Sequence, residues 1–316
     1  MATGKVLGLT GSFGYIGRRL LERLKRSEDF ERVLCTDIIE PKEKLPERFE
    51  YHHCDILDGE KLHRIFKEGK VDTVLHLAFI ANPIRNREFE HEVDIAGTRN
   101  VLNACESLGV RKLVVTSSDC AYGFFPDTPD YLTEDAPLRA TPGFPYAENK
   151  VEMEKIVAEF AERVKSCSVV VIRPCTVFGP NVKNQTSDAM KQPFILGFTG
   201  CDPIMQFIHE EDAVEGFYLA LVKDVRGAFN LAADEGLRYR EMAKVIEKPF
   251  LALPVWLIYP LVEALYRLHL LPFGKAELSY IRYPLSMSIE RIQKELGFRP
   301  KYSTAEALRA FMDNLK

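Results

Sequence analysis

Six short strand-like runs, most of them apolar without polar alternation, constrain this chain more than any other feature. They fall at residues 5–11, 32–37, 49–55, 73–78, 112–118 and 168–175. Amphipathic, helix-like stretches separate or follow them at about 15–26, 59–68, 88–108 and 146–164. Strands that are apolar on both faces and alternate with helices predict a parallel sheet covered on both sides. The crossover rule makes such a sheet doubly wound, with its ligand crevice beyond the carboxyl ends of the strands. After about Val177 the alternation loosens, and strand character returns only at 206–208 and 228–231.

The expected architecture is therefore α/β, a Rossmann-type doubly wound parallel sheet with a smaller C-terminal substrate-binding lobe. Residues 1–176 would form the dinucleotide-binding unit, with its sheet completed by parts of 205–235. Residues 177–204 and 236–316 would form the lobe. A chain of 316 residues suits that division better than a single core. The net charge of -4 removes the electrostatic case for nucleic acid. Seven cysteines, an odd number with no Cys-x-x-Cys pair, predict reduced thiols and a cytoplasmic location. The first residues run directly into a strand-like segment, and no signal peptide is expected. Residues 250–273 are strongly apolar and hold the only tryptophan, Trp256. Pro254, Pro260, Glu263 and Arg267 interrupt them, which argues against a transmembrane helix and for a helical cover over a pocket or a subunit contact, with peripheral membrane contact and plain core as the alternatives.

Thr10-Gly-Ser-Phe-Gly-Tyr-Ile-Gly17 joins the first strand to the first helix. Gly11, Gly14 and Gly17 let the backbone turn tightly and approach a diphosphate, and the helix start offers free N–H groups. The spacing is one residue away from G-x-G-x-x-G. Phe13, Tyr15 and Ile16 lie between the glycines and join the candidate cofactor contacts. Asp37, with Ile38 after it, ends the second strand and is suited to the adenosine ribose hydroxyls, which favours NAD over NADP. Asp55 and Ile56 are candidates for adenine. Leu77, Ala78 and Phe79 at the end of the fourth strand, and Thr116 at the end of the fifth, would line the crevice. His76 reads as a hydrogen-bonded strand histidine, and no cluster has metal-ligand spacing, so no metal is expected.

Tyr146 and Lys150 stand four apart and share one helix face. An ammonium ~5 Å from a phenolate, at an effective dielectric of ~20, stabilises it by roughly 3 kcal/mol, or about two pKa units. Tyr146 is thus expected to move a proton, with its acidity raised by Lys150, while a dinucleotide moves a hydride. Ser118 is placed to hydrogen-bond the same substrate oxygen.

Together these segments resemble the extended short-chain dehydrogenases/reductases of the NAD-dependent epimerase/dehydratase type, over nearly the whole chain. Ser117-Ser-Asp-Cys-Ala-Tyr-Gly123 is similar to their active-site strand end, and Pro145-Tyr-Ala-Glu-Asn-Lys150 to their Tyr/Lys motif. Ile172-Arg-Pro-Cys-Thr-Val-Phe-Gly-Pro180 and Gln206-Phe-Ile-His-Glu-Glu-Asp212 resemble two later landmarks. The resemblance implies NAD as cofactor, with Tyr146, Lys150, Pro174 and Val177 among its contacts. Ser118, Tyr146 and Lys150 would be catalytic, and Ser118, Asp119, Thr176, His209 and Arg282 would face substrate. It also implies a small-molecule substrate and a homodimer paired through the helices near 88–108 and 146–164. The implied reaction is transient hydride transfer at a hydroxyl carbon of a nucleotide sugar, as in an epimerase.

Two departures weaken the sugar-nucleotide expectation. Thr176 stands where such members resemble asparagine, and Met205 where they resemble arginine; both changes remove phosphate donors. Arg282 is left to serve a diphosphate, or is an ordinary surface arginine. Cys120 replaces a dehydratase glutamate, which argues against elimination of water. The apolar 250–273 segment is similar instead to the hydroxysteroid dehydrogenase and flavonoid reductase branch. That branch implies the alternative, net oxidation or reduction of an apolar alcohol or ketone.

Overall fold

The computed structural model describes residues 5–82 and 84–315. In chain order it runs β1 (Val6–Thr10), α1 (Tyr15–Leu24), β2 (Arg32–Asp37), β3 (Phe49–His53), α2 (Gly59–Gly69), β4 (Thr73–His76), α3 (Arg87–His91), a π-helical turn (Glu92–Ala96) and α4 (Gly97–Leu108). There follow β5 (Lys112–Thr116), a 3₁₀ turn (Asp119–Tyr122), α5 (Pro145–Arg163), β6 (Ser168–Pro174), β7 (Thr176–Phe178), α6 (Gln185–Lys191), β8 (Ile195–Phe198), β9 (Ile204–Met205) and β10 (Phe207–His209). The chain closes with α7 (Glu210–Val222), β11 (Gly227–Leu231), β12 (Leu237–Arg238), α8 (Tyr239–Val245), β13 (Phe250–Leu253), α9 (Val255–Arg267), a 3₁₀ turn (Glu277–Ile281), α10 (Glu290–Leu296) and α11 (Thr304–Asp313).

Seven strands form one sheet in the order β11-β6-β5-β4-β1-β2-β3, and every pairing is parallel. The absence of polar alternation is explained by the two cores. Leu7, Leu9, Val33, Cys35, Val114, Val170 and Ile172 point to one face, against side chains of α1, α7 and α10. Their neighbours Val6, Leu34, Leu113, Val115, Val169 and Val171 point to the other, against α2, α4 and α5. Successive strand residues face opposite ways, so a sheet covered on both sides needs apolar residues throughout. Each such side chain contributes about 1.5–3 kcal/mol by burial. The strand order reverses at β1, between β2 and β4, and opens the crevice there.

Three elements differ from expectation. Residues 206–208 do not join the main sheet: β10 pairs with β7 in a separate two-stranded sheet, because the chain leaves the main sheet beyond Pro174. The helix expected over 88–108 is interrupted by the π-helical turn, whose extra residue turns the buried Asp94 toward the site. The apolar stretch from 250 begins as β13, paired with β8, and becomes helical only after Pro254.

Candidate active site

The glycine turn is built by close approach. Gly11 has φ +69, and a Cβ there would lie 2.7 Å from the Leu77 carbonyl carbon and 2.8 Å from the Ala78 nitrogen. A Cβ on Gly17 would lie 2.4 Å from the Gly11 oxygen, so α1 starts directly on the turn. Gly14 caps α1 without a side-chain hydrogen bond, and no acidic residue stands in the first turn. The N–H groups at this helix start face no side-chain carboxylate and carry the positive end of the helix dipole. That arrangement fits a dinucleotide diphosphate.

Asp37 is buried at the end of β2. One carboxylate oxygen accepts from the Phe13 N–H at 2.7 Å and the other from the Ile39 N–H at 2.9 Å. Asp37 thus ties the glycine turn to the second strand and keeps lone pairs for further donors. Ile38 is 60% exposed. Asp55 accepts from the Leu57 N–H at 3.0 Å, and Ile56 is buried where a Cβ on Gly97 would strike it. His76 is buried between Thr10 Oγ1 (2.8 Å) and Thr98 Oγ1 (3.2 Å), and burial pushes its pKa down to about 3. It is a neutral strut between strand and helix. Among the described residues there is no group of three or more His, Cys, Asp or Glu able to hold a metal.

Beyond the strand ends lies one cavity of about 1000 Å³. Gly11, Gly14, Tyr15, Ile16, Gly17, Leu77, Phe79, Thr116, Pro174 and Val177 line its cofactor side. Ser118, Asp119, Tyr146, Lys150 and Thr176 line the same space. The structure therefore brings the glycine turn and the Tyr/Lys pair to one cavity. Phe13, Asp37, Ile38, Asp55, Ile56 and Ala78 stand outside its wall, as do His209 and Arg282. His209 accepts from the Glu211 N–H at 3.2 Å and stacks on Tyr302 at 3.9 Å, so its ring is committed to the start of α7. The Arg282 guanidinium lies over the rings of Tyr283 (4.8 Å) and Tyr259 (5.4 Å).

Ser118 precedes the 3₁₀ turn, donates to Asp119 Oδ1 at 2.9 Å and accepts from the Cys120 N–H at 3.2 Å. Pro145 starts α5 at its first position, where a missing N–H costs nothing, and sets Tyr146 and Lys150 one turn apart. The Lys150 ammonium donates to the Thr116 carbonyl at 3.1 Å and sits 3.3 Å from the centre of the Phe79 ring. It is 5.6 Å from the Tyr146 ring.

This geometry corrects the simple charge argument for Tyr146. Burial pushes the phenol above its ordinary value of 10, with the charges of Cys120 and Asp119 acting in the same direction and the Ser118 hydrogen bond opposing them. The Lys150 ammonium is bonded to a carbonyl and lies against an aromatic face, and burial of the phenol is the largest influence on Tyr146. Burial pushes Lys150 itself down to about 8, with Asp94 and Glu154 holding its charge against that trend.

Asp94 and Glu154 escaped sequence reasoning. Asp94 accepts from the Ile80 N–H at 3.0 Å and from Asn149 Nδ2 at 3.2 Å. Glu154 is held by Arg173 at 2.7 Å and by Ser117 Oγ at 2.5 Å. The available signal was charge at helix positions that periodicity makes inward-facing. The cavity wall from Phe144, Phe194, Phe273, Leu278 and Tyr280 was missed too, because it is assembled from segments far apart in sequence. Tyr280 bonds Thr176 Oγ1 through its hydroxyl at 2.9 Å.

Comparison with known proteins agrees with this layout. UDP-glucose 4-epimerase of Bacillus subtilis is 28% identical over 282 residues, covering 76% of this chain and 80% of that protein. The decarboxylating sterol-4-alpha-carboxylate 3-dehydrogenase of Mus musculus is 24% identical over 336 residues, covering 98% and 90%. The crystal structure of UDP-glucose 4-epimerase from Thermotoga maritima with UDP-glucose superposes with a TM-score of 0.76 at 20% identity, covering 98% of each chain. The family model described as NAD dependent epimerase/dehydratase family matches residues 8–232, well over half the sequence. With the glycine turn, Ser118, Tyr146 and Lys150 meeting in one cavity, this chain belongs to the NAD dependent epimerase/dehydratase family, enzymes of the extended short-chain dehydrogenase/reductase type that use NAD.

Proposed function

We propose that the protein interconverts a secondary alcohol and its ketone on a large, weakly charged substrate, with net reduction or oxidation of NAD. One observation carries the substrate class. Away from Ser118 and Tyr146 the wall facing α9 is Phe144, Phe194, Leu196, Phe273, Leu278 and Ile281, a polar stretch of Lys183, Asn184, Gln185 and Thr186 lies elsewhere on it, and among the described residues no arginine lines it. A nucleoside diphosphate asks for bidentate donors, whereas this wall favours apolar surface. The sterol-acting mouse relative, similar over almost the whole chain, supports the reading.

The backbone of Gly11, Gly14 and Gly17 and the open start of α1 would hold the NAD diphosphate, and Asp37 the adenosine ribose. Leu77, Phe79, Thr116, Pro174 and Val177 would hold the rest. When bound, NAD supplies a hydride acceptor and, in its oxidised form, a positive ring. Ser118 Oγ orients the substrate oxygen. Tyr146 exchanges the hydroxyl proton: its raised pKa makes it a donor in the unliganded site, suited to ketone reduction, and added positive charge nearby makes it an acceptor. Lys150 supplies part of that charge, held in place by Thr116, Asp94 and Glu154. The lobe over 177–204 and 236–316 keeps water from the reacting carbon. The reading includes a cytoplasmic location, with which seven free cysteines accord, and a homodimer paired through α4 and α5; sedimentation of a monomer would remove the dimer.

The second reading is epimerisation of a nucleotide sugar, favoured by the Bacillus subtilis relative and by Lys183, a cation at the cavity wall. Purified protein assayed with NAD against steroid-like alcohols and against uridine, thymidine and guanosine diphosphate sugars separates the two. NADH formation with an apolar alcohol is the expected result. Retained NAD at one per chain, with sugar turnover and no net NADH, overturns it.

A further inference from the structure

The helix α9 is apolar on two faces, and only one of them is covered. Ile258 and Val262 point inward and pack with Phe198 and Leu278. Trp256, Leu257, Pro260, Leu261 and Ala264 share the opposite face and are exposed, and Leu268 and Leu270 continue it past the helix end. Their exposures reach 75% for Trp256, 68% for Leu268 and 67% for Leu270. Single exposed apolar residues are ordinary, but a stripe at helical spacing that includes a tryptophan marks a contact surface. The helix has 13 residues, about 20 Å, against a hydrocarbon core of about 30 Å. Among the described residues no helix is long and apolar enough to cross a membrane.

Two observations identify what covers the stripe. The first is charge. Arg85 donates to the Tyr266 and Leu271 carbonyls at the end of the helix, Arg87 lies 5.5 Å from the Tyr266 ring, and Arg267 is largely exposed beside its partner Glu263. Lys275 is exposed just beyond. An apolar stripe with a cationic margin matches an anionic lipid surface, where acyl chains take the tryptophan and leucines and headgroups take the arginines. A second copy of the chain would bring two cationic margins together, and five large apolar side chains with Pro260 and Ala264 fall short of the roughly 20–30 residues a side of a stable dimer. The second observation is continuity. Leu270 belongs to the stripe, and Pro272 and Phe273 belong to the cavity wall. A surface that receives the stripe also meets the mouth of the cavity.

We propose that α9 and the turn after it form a docking surface for an anionic lipid bilayer, lying in the plane of the interface with the cavity mouth against the lipid. Docking of this kind goes beyond the alcohol/ketone reading, and its test uses no substrate. Failed docking leaves that reading standing, and failed turnover leaves docking standing.

The full-length protein is sedimented with vesicles of phosphatidylcholine alone and of phosphatidylcholine with phosphatidylserine, and the emission of Trp256, the sole tryptophan, is followed. The expected result is cosedimentation that is stronger with phosphatidylserine. A blue shift of Trp256 emission and its quenching by lipids brominated on the acyl chain should accompany it. Leu257→Ser with Leu261→Ser and Leu268→Ser should lower the partition coefficient by about a hundredfold with an unchanged melting temperature. Arg267→Glu with Lys275→Glu, which leaves the stripe and the Arg85 bonds to the helix end in place, should remove the preference for phosphatidylserine. Equal partition of the wild type and the serine variant overturns the proposal, as does a tryptophan that brominated lipid leaves unquenched. A wild type that ignores vesicles and self-associates through the stripe, with the serine variant monomeric, replaces the lipid with a second copy.

Discussion

The two sides of the cavity are held by different forces. On the cofactor side almost every polar group is matched within a few residues or across one strand: Ser12 Oγ donates to the Leu9 carbonyl at 2.6 Å, Arg18 to the Phe13 carbonyl at 2.6 Å, and Asp37 accepts from Phe13. A Cβ at Gly11 or Gly17 would strike backbone, which cannot move aside. On the cover side, β13, α9 and the turn to Ile281 pack mainly through side chains, with Phe198, Ile258, Val262 and Leu278 at their centre. Hydrogen bonds are directional and tolerate little displacement, whereas apolar packing accepts volume-conserving change. The first side fits one cofactor, and the second admits variation in substrate.

The largest effect expected from that contrast is at Tyr146. Tyr146→Phe removes the exchangeable proton and keeps the ring, so turnover should fall by about 10²–10⁴-fold with NAD affinity nearly unchanged. Loss of NAD binding in equal measure would make Tyr146 a binding residue instead. Gly11→Ala tests the rigid side from below. At φ +69, with backbone 2.7 Å from the new Cβ, it should cost about 1–3 kcal/mol of stability and most NAD affinity. Calorimetry with and without NAD reads both. Phe273→Ala, on the cover side, should instead raise KM for an apolar substrate with little change in kcat or NAD affinity.

Asp119 sharpens the comparison through pH. It is fully buried beside Ser118, and burial pushes its carboxyl up from 3.8 to about 6. The folded state therefore holds a proton that the unfolded chain has released between these values. The contribution of Asp119 to stability is full below about pH 4 and is lost as pH rises through about 6. Asp119→Asn keeps an acceptor for Ser118 and removes the buried charge. It should be more stable than the wild type by roughly 1–3 kcal/mol at pH 7, with the difference vanishing below about pH 4. A constant difference in melting temperature across that window would mean that Asp119 does not titrate there.

Legibility in the sequence follows the same boundary. The glycine turn, the strand ends and the Tyr146–Lys150 pair were readable because their geometry is set within one strand, turn or helix. What was not readable depends on segments that meet only after folding. That Arg282 lies over the rings of Tyr259 and Tyr283 could not be read from its position in the sequence. The acidity of Tyr146 depended on where the Lys150 ammonium points, and that is decided by the Thr116 carbonyl and the Phe79 ring. Asp94 lay hidden in a helical pattern whose regularity the π-helical turn breaks. The apolar character of 250–273 was plain, but which of its residues face outward depends on its packing against Phe198 and Leu278.

The smallest expected effect is the most discriminating. Lys183 is an exposed cation at the cavity wall and the one basic side chain there besides the buried Lys150, among the described residues. If the substrate is apolar, Lys183 makes no contact that distinguishes bound from free substrate. Lys183→Ala should then change KM by less than about twofold, within the range of an ordinary surface substitution. If a nucleoside diphosphate binds, Lys183 carries the charge that Thr176 and Met205 do not supply. Its removal would leave the phosphates without a cation among the neutral side chains of Asn184, Gln185 and Thr186, and KM should rise by about tenfold or more, a charge-assisted hydrogen bond being worth about 1.5–3 kcal/mol. Raising the salt concentration gives an independent reading of the same contact. A salt-dependent KM in the wild type that becomes flat in Lys183→Ala assigns the cation to substrate phosphate, whereas a flat response in both leaves the apolar wall as the source of affinity.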